Sequence, residues 1–143
     1  MYGFNMGLNY VSYPGDLDKK EFYSIMGEYF AEPQYRKELP YLSNKPNYNW
    51  RLYYCCDDFI GFIHYEYKSD FVEIGGLYII KEFRDNHFAT KIIKEVTDFF
   101  EDYNQRSITN NPIVINIRSR LGFVEIGKRG SYSIMEKKAE EKK

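Results

Sequence analysis

The run from Phe71 to Ile80 is apolar at almost every position, and it constrains the fold more than any other segment of the chain. A strand with one wet face alternates apolar and polar residues, whereas one that carries apolar side chains on both sides must be covered on both faces. The run therefore belongs in the middle of a sheet with other elements packed above and below it. Two features interrupt it. Glu73 places a carboxylate inside an otherwise greasy strand, and Gly75-Gly76 weakens regular pairing and favours a bulge. With 143 residues, the chain has material for one such sheet and its covering helices, and none for a second core.

The rest of the chain reads as a single domain over residues 1–136, with a charged tail over 137–143. Asn5–Tyr13 predicts a first strand closed by Pro14-Gly15, after which Asp16 or Asp18 can cap a helix that runs to about Phe30. Leu17, Phe22, Ile25, Met26, Tyr29 and Phe30 recur at three and four, so one helix face turns inward. Pro33 ends that pattern, and a weaker helical piece follows from Gln34 to Leu42 around Pro40. Ser43–Asn49 reads as a loop whose Tyr41, Tyr48 and Trp50 neighbourhood either lines a pocket or covers the sheet.

Three strands follow, Trp50–Cys56, Phe59–Tyr67 and Phe71–Ile80, joined by short polar turns that make antiparallel neighbours. His87–Tyr103 is the best helix, with Phe88, Ile92, Val96, Phe99 and Tyr103 on one stripe. A thin strand at Ser107–Thr109, a helix opened by Asn110-Asn111-Pro112 and closed at Leu121-Gly122, and a hairpin of Phe123–Gly127 with Ser131–Glu136 complete the order β, α, α, β, β, β, α, β, α, β, β. The fold class is α/β.

Composition removes several classes of function. Apolar residues make up 43% and charged ones 29%, which excludes the signature of a disordered chain. Lys and Arg number 20 against 21 for Asp and Glu, without the cationic excess that argues for nucleic acid or an anionic membrane. Fifteen Tyr and eleven Phe resemble a stacking platform but also follow from compositional drift. Cys55 and Cys56 are adjacent, cannot staple distant segments, and read as strand residues facing opposite sides. No run is long and apolar enough for a membrane span, the first residues lack the order of a signal peptide, and the chain reads as cytoplasmic. No spacing of His, Cys and carboxylates suggests a metal, and there is no serine nucleophile elbow.

Chemistry concentrates where the central strand meets the best helix, over Leu77–Thr90. The first amides of a helix lack partners and the helix dipole favours negative charge, so this turn is either an anion site suited to a pyrophosphate or an ordinary strand-to-helix connection.

The same junction resembles the GNAT superfamily of acyl-CoA-dependent N-acyltransferases. Leu77, Ile79, Arg84 and Ala89 match its strand end and loop, with His87 where the first loop glycine usually stands. Phe71-Val72-Glu73-Ile74 is similar to the strand start that carries a glutamate base in some members. Asn111, Leu121, Gly122 and Phe123 resemble its second conserved segment, with Arg118 at the position that is often a tyrosine general acid. The resemblance covers about Trp50–Glu136 and implies a mixed, mostly antiparallel, splayed sheet flanked by helices.

It also implies a function: direct transfer of an acetyl group from acetyl-CoA, the cosubstrate, to a small-molecule amine or a protein or peptide amine, by a monomer or homodimer; the near-neutral charge argues against nucleic acid as a partner, and the absence of a long apolar run against a membrane. Glu73 becomes the expected proton acceptor. Tyr78, Ile79, Arg84, Asp85, Asn86, His87, Phe88, Ala89, Thr90 and Asn111 become the expected acetyl-CoA contacts. Arg118 cannot donate a proton near neutrality, which leaves Tyr132 or Tyr103 as candidate acids, and His64 reads as structural. The rival reading is a degenerate member that keeps the fold as a binding or regulatory module.

Overall fold

The computed structural model describes residues 7–15, 20–39 and 42–140. Seven strands form one sheet in the order β1-β2-β3-β4-β5-β7-β6: β1 (Leu8–Tyr13), β2 (Asn49–Cys55), β3 (Asp58–Tyr67), β4 (Val72–Ile79), β5 (Gln105–Thr109), β6 (Val124–Arg129) and β7 (Tyr132–Lys137). Four helices flank it: α1 (Lys20–Ala31), α2 (Pro33–Glu38), α3 (Phe88–Phe99) and α4 (Pro112–Arg120). The element order is the one expected. Asn5, Asp16, Leu17, Asp18, Pro40 and Tyr41 lie outside the described residues, so the proposed caps of the first helix lie there too.

β4 is central, and its two faces carry two cores. Val72, Ile74 and Ile79 pack with Ile63 and with Ile92, Val96 and Phe100 at α3, while Tyr78 packs with Phe62, Leu52 and Trp50 against Phe22, Met26 and Tyr29 of α1. This is why the strand is apolar in both directions. Ile93 of α3 meets Val114 and Ile117 of α4, which fixes the second helix pair beside the first core. Among the described residues, no helix is long and apolar enough to cross a membrane.

Several boundaries differ from the sequence reading for identifiable reasons. The β2–β3 hairpin turns on Cys56 (φ +52°) and Asp57 (φ +72°), the pair of left-handed residues that a two-residue turn of this hand requires. Cys56 is thus an exposed turn residue rather than a strand residue. Pro33 stops α1 by opening α2 at its first turn, where a missing N–H costs nothing. α3 ends at Phe99, and Phe100 at its C-cap takes the inward place. Phe99 is 57% exposed under the Arg51 guanidinium, and Tyr103 stands outside the helix against Tyr67 and Phe100. The last hairpin turns at Gly130 (φ +62°) and Ser131, later than expected, so Lys128 and Arg129 extend β6.

Candidate active site

The sheet opens where β4 and β5 part. Their parallel pairing covers only Val72 with Gln105, Glu73 with Arg106 and Ile74 with Ser107, although β4 continues to Ile79 and β5 to Thr109. The cause lies in β4 itself. Between its pairs with Phe62 and His64 the strand carries an extra residue, and Gly76 sits at φ +68°. A Cβ there would collide with His64 Nδ1, so both the backbone conformation and the packing demand glycine. The bulge turns β4 away from its neighbour and leaves a cleft of about 1180 Å³ between them, bounded by α4, the β4–α3 turn and the loop after α2.

Glu73 and Gly75 through Ile79 line this cleft, as do Arg84, Asp85, His87, Phe88, Ala89, Thr90 and Asn111, so the structure brings together all the expected site residues but one. Asn86 is exposed beside it and donates from Nδ2 to the Arg84 carbonyl at 3.3 Å. Glu73 has no hydrogen bond or ion pair among the described residues; the Tyr or Arg partner that a purely structural carboxylate would take is missing, since Arg106 next to it is bonded to Glu136 at 2.9 Å. The turn enters α3 through Asp85 (φ +67°) and His87 (φ +64°). His87 is the N-cap in a left-handed conformation and makes no side-chain cap bond. The first intrahelical bond runs from the Lys91 amide to the His87 carbonyl, which leaves the amides of Phe88, Ala89 and Thr90 at the open end of the helix.

Other expected residues are already engaged. Arg84 donates from Nε to the Ile79 carbonyl at 2.8 Å and from Nη2 to Glu38 at 3.1 Å. Tyr78 donates its hydroxyl to the same Glu38 carboxylate at 2.8 Å, and burial with that carboxylate raises its pKa. Asn111 accepts from the amides of Ile113 and Val114, so its carbonyl oxygen serves as the N-cap of α4.

Glu38 escaped the sequence reading, and Tyr48 proves to line the pocket as one of its two alternatives had it. Glu38 ties α2 to the end of β4 and to the turn, and no local pattern announces a contact across 40 residues. Tyr48 stacks on His64 at 4.2 Å, and His64, read as structural, packs against Trp50 as well while lining the cleft. Burial lowers the His64 pKa to about 4, and its Nδ1 has no partner. Arg118 lines the cleft from α4 at 2% exposure. Of the two candidate acids, Tyr132 lines the cleft and Tyr103 does not.

The family model for the acetyltransferase (GNAT) family matches residues 19–123, a span that includes the bulged strand, the turn and α4. The chain belongs to that family. GNAT-like solved structures share the fold at low identity. PaiA N-acetyltransferase from Thermoplasma acidophilum, solved in complex with coenzyme A, is 16% identical with a TM-score of 0.62, over 93% of this chain and 99% of that one. Escherichia coli ElaA is 14% identical with a TM-score of 0.65, over 92% and 99%. An acyl-CoA N-acyltransferase from Pseudomonas aeruginosa is 15% identical with a TM-score of 0.68, over 91% and 99%. No curated protein sequence matches the chain. GNAT membership makes acetyl-CoA the cosubstrate, and the cleft suits it: it has an opened sheet edge and, at the helix end, amides outside the intrahelical bonding. Among the described residues, no group of three or more His, Cys, Asp and Glu could hold a metal ion.

Proposed function

We propose that the chain transfers an acetyl group from acetyl-CoA directly to an amine acceptor, a small molecule or a protein or peptide amine, with Glu73 as the proton acceptor. The observation that carries this reading is the cleft opened by the β4 bulge, in which a carboxylate without a partner among the described residues and the free amides of α3 line one continuous space. The turn over Arg84, Asp85, Asn86, His87, Phe88, Ala89 and Thr90 takes the pyrophosphate, because unpaired amides and the helix dipole attract an anion there. Asn111 and the unpaired edge of β4 near Tyr78 and Ile79 hold the pantetheine arm and polarise the thioester carbonyl. Glu73 accepts a proton from the acceptor's ammonium, directly or through water, and the freed amine attacks the carbonyl. No covalent enzyme intermediate is needed.

Calorimetry tests the cofactor half. CoA and acetyl-CoA should bind, and Ala89→Asp, which places a carboxylate among the open amides, should weaken both by about tenfold or more through like-charge repulsion. An absence of binding at millimolar ligand overturns the reading, and unchanged affinity in the variant moves the pyrophosphate elsewhere. Turnover on a panel of amines tests the other half, since binding without turnover of any amine favours the degenerate-module reading.

A further inference from the structure

Beside Glu73 the cleft has an electropositive spot that no protein carboxylate neutralises. Val72 and Ile74 pack toward α3, so Glu73 and Gly75 turn to the other face of β4, where His64 packs against Trp50. The register sets His64 directly opposite Gly75, and the edge of its ring overlies that glycine, since a Cβ there would lie 3.7 Å from both Cε1 and Nε2. Tyr48 stacks on the imidazole at 4.2 Å, and Lys45 holds its Nζ 5.7 Å from the centre of the Tyr48 ring. His64, Tyr48, Lys45 and Glu73 all line the cleft. Among the described residues Lys45 has no ion pair; of the other carboxylates in the cleft, Glu38 is held by Tyr78 and Arg84, and Asp85 belongs to the turn into α3. The hairpin adds Arg129 and Tyr132, which supply no negative charge near neutrality.

Two features say what the spot takes. The first is the form of the imidazole. Nδ1 is sealed without a partner against Gly76, where a Cβ would collide with it. A buried N–H with nothing to donate to is costly, whereas a bare lone pair beside a Cα is tolerated, so the ring carries its proton on Nε2, the nitrogen that is not sealed. Burial, and then the Lys45 charge, lower the His64 pKa to about 4, which leaves the ring a neutral donor near neutrality. One ammonium and one neutral N–H match a monoanion. The second is position. Phe88 and Ala89, at the start of α3, pack on the opposite face of the sheet, so a pyrophosphate at their amides is across the sheet from His64. Glu73, by contrast, shares the face of His64 and stands two residues from Gly75, about 7 Å along the strand.

We propose that this spot receives a carboxylate of the acceptor, which makes the acceptor a zwitterion of the α-amino acid type; the proposal rests on the acetyl-transfer reading above. The carboxylate takes the hydrogen bond from His64 Nε2 and the charge of Lys45, and the ammonium meets Glu73. An ammonium and a carboxylate carried on one carbon fit that separation. The ammonium gives its proton to Glu73, the nitrogen forms its bond to the thioester carbon, and the carbon–sulfur bond breaks with its electron pair on sulfur. The carboxylate stays anchored throughout, so it positions the amine and takes no part in the bond changes.

The test sets the common α-amino acids against their matching amides as acceptors on the full chain, read as kcat/KM from the release of CoA. The amide keeps the amine and the side chain and loses only the negative charge, and its amine is the less protonated near neutrality, so chemistry alone would favour it. At least one free amino acid should nevertheless be preferred over its amide by about tenfold or more. Lys45→Gln, at an exposed loop side chain, should lower that preference by about fivefold, with the loss falling on the KM of the amino acid, and Lys45→Arg should keep it. Amides that react as well as the free acids, or reaction confined to amines without a carboxylate, overturn this proposal alone and need no variant to fold. A preference that Lys45→Gln leaves unchanged places the carboxylate elsewhere and overturns it as well. If no amine of any kind is acetylated, the acetyl-transfer reading falls first and this one with it.

Discussion

Arg51 and Arg118 are both almost fully buried, at 1% and 2% exposure, yet their surroundings differ in kind. Arg51, on β2, lies between the rings of Tyr10 and Phe99, with Cζ 4.1 and 4.6 Å from their centres, and its Nη1 reaches Tyr53 at 3.3 Å and Glu95 at 3.5 Å. Tyr53 closes the set by donating to Glu95 at 2.6 Å. Among the described residues, Arg118 has a cation–π contact with Phe123 and no ion pair. The contrast extends to the neighbourhoods. Away from the cleft, the charged side chains near the sheet find partners, as Arg106 does with Glu136; inside it, Glu73, Arg118 and His64 Nδ1 do not. Single unmet atoms also occur away from the cleft, at Arg51 Nε, Thr97 Oγ1 and Gln105 Oε1, so what sets the cleft apart is charged side chains with no ion pair at all among the described residues, Glu73 and Arg118.

The sharpest way to break this contrast is at Glu73. If it is unpartnered because it works on the acceptor, Glu73→Gln should lower turnover at saturating amine by about 100 to 10,000-fold, the usual range for a general base, and leave acetyl-CoA affinity nearly unchanged. The defect should shrink at alkaline pH, where the amine arrives already deprotonated. A loss below threefold, or one that holds constant with pH, assigns Glu73 to structure or positioning.

The two arginines make a second test, read in stability. Arg51→Met removes a cation with partners, and the loss of its bonds to Glu95 and Tyr53 should cost about 2 to 3 kcal/mol, since hydrogen bonds to charged groups run about 1.5 to 3. Arg118→Met removes a buried charge with none, and apolar replacement of buried charge is often neutral or stabilising by about 1 to 4 kcal/mol. Thermal or denaturant unfolding should therefore move in opposite directions, or at least fall at Arg51 alone. Equal destabilisation at both sites would mean that Arg118 has a partner in solution.

His64 sharpens the contrast through pH. Its folded pKa of about 4 lies below the ordinary value of about 6.5, so between those limits the unfolded chain binds a proton that the folded one refuses. The contribution is therefore fully present above about pH 6.5 and is lost as pH falls toward 4, by at most about 3 kcal/mol from a difference of some 2.5 units. His64→Phe should flatten the stability profile over that window. A profile with the same slope in both proteins would show that the imidazole already charges in the fold.

What the sequence disclosed and what it hid divide by range. The doubly apolar run of β4 predicted its central place, and Gly75-Gly76 predicted the bulge, because both are local consequences of side-chain size and backbone freedom. The turn and its helix were legible for the same reason. The Glu38 bridge to Tyr78 and Arg84 was not, since α2 shows no sign of which strand end it will meet. Arg118 could be seen to be unfit as an acid; that it is buried without an anion depends on what every neighbouring element fails to supply. Phe99 misled because aromatic spacing cannot say which of Phe99 and Phe100 faces inward at a fraying helix end, and the C-cap gave the inner place to Phe100.

The smallest expected effect concerns His87, where conformation rather than charge is unmet. At φ +64° a residue with a Cβ bears strain of about 1 to 2 kcal/mol, somewhat less for His than for β-branched side chains, and glycine bears none. As the N-cap, His87 lies just outside the helix, so glycine there does not incur the full helix-interior penalty, and with no cap bond from the imidazole little is given up. His87→Gly should therefore stabilise the chain by about 0.5 to 1 kcal/mol and hold or raise CoA affinity, because the backbone can approach the pyrophosphate more closely. Calorimetric titration and unfolding of the same variant separate the two effects. A tenfold fall in CoA affinity with stability unchanged would make the imidazole a phosphate ligand in its own right, donating a hydrogen bond to a phosphate oxygen.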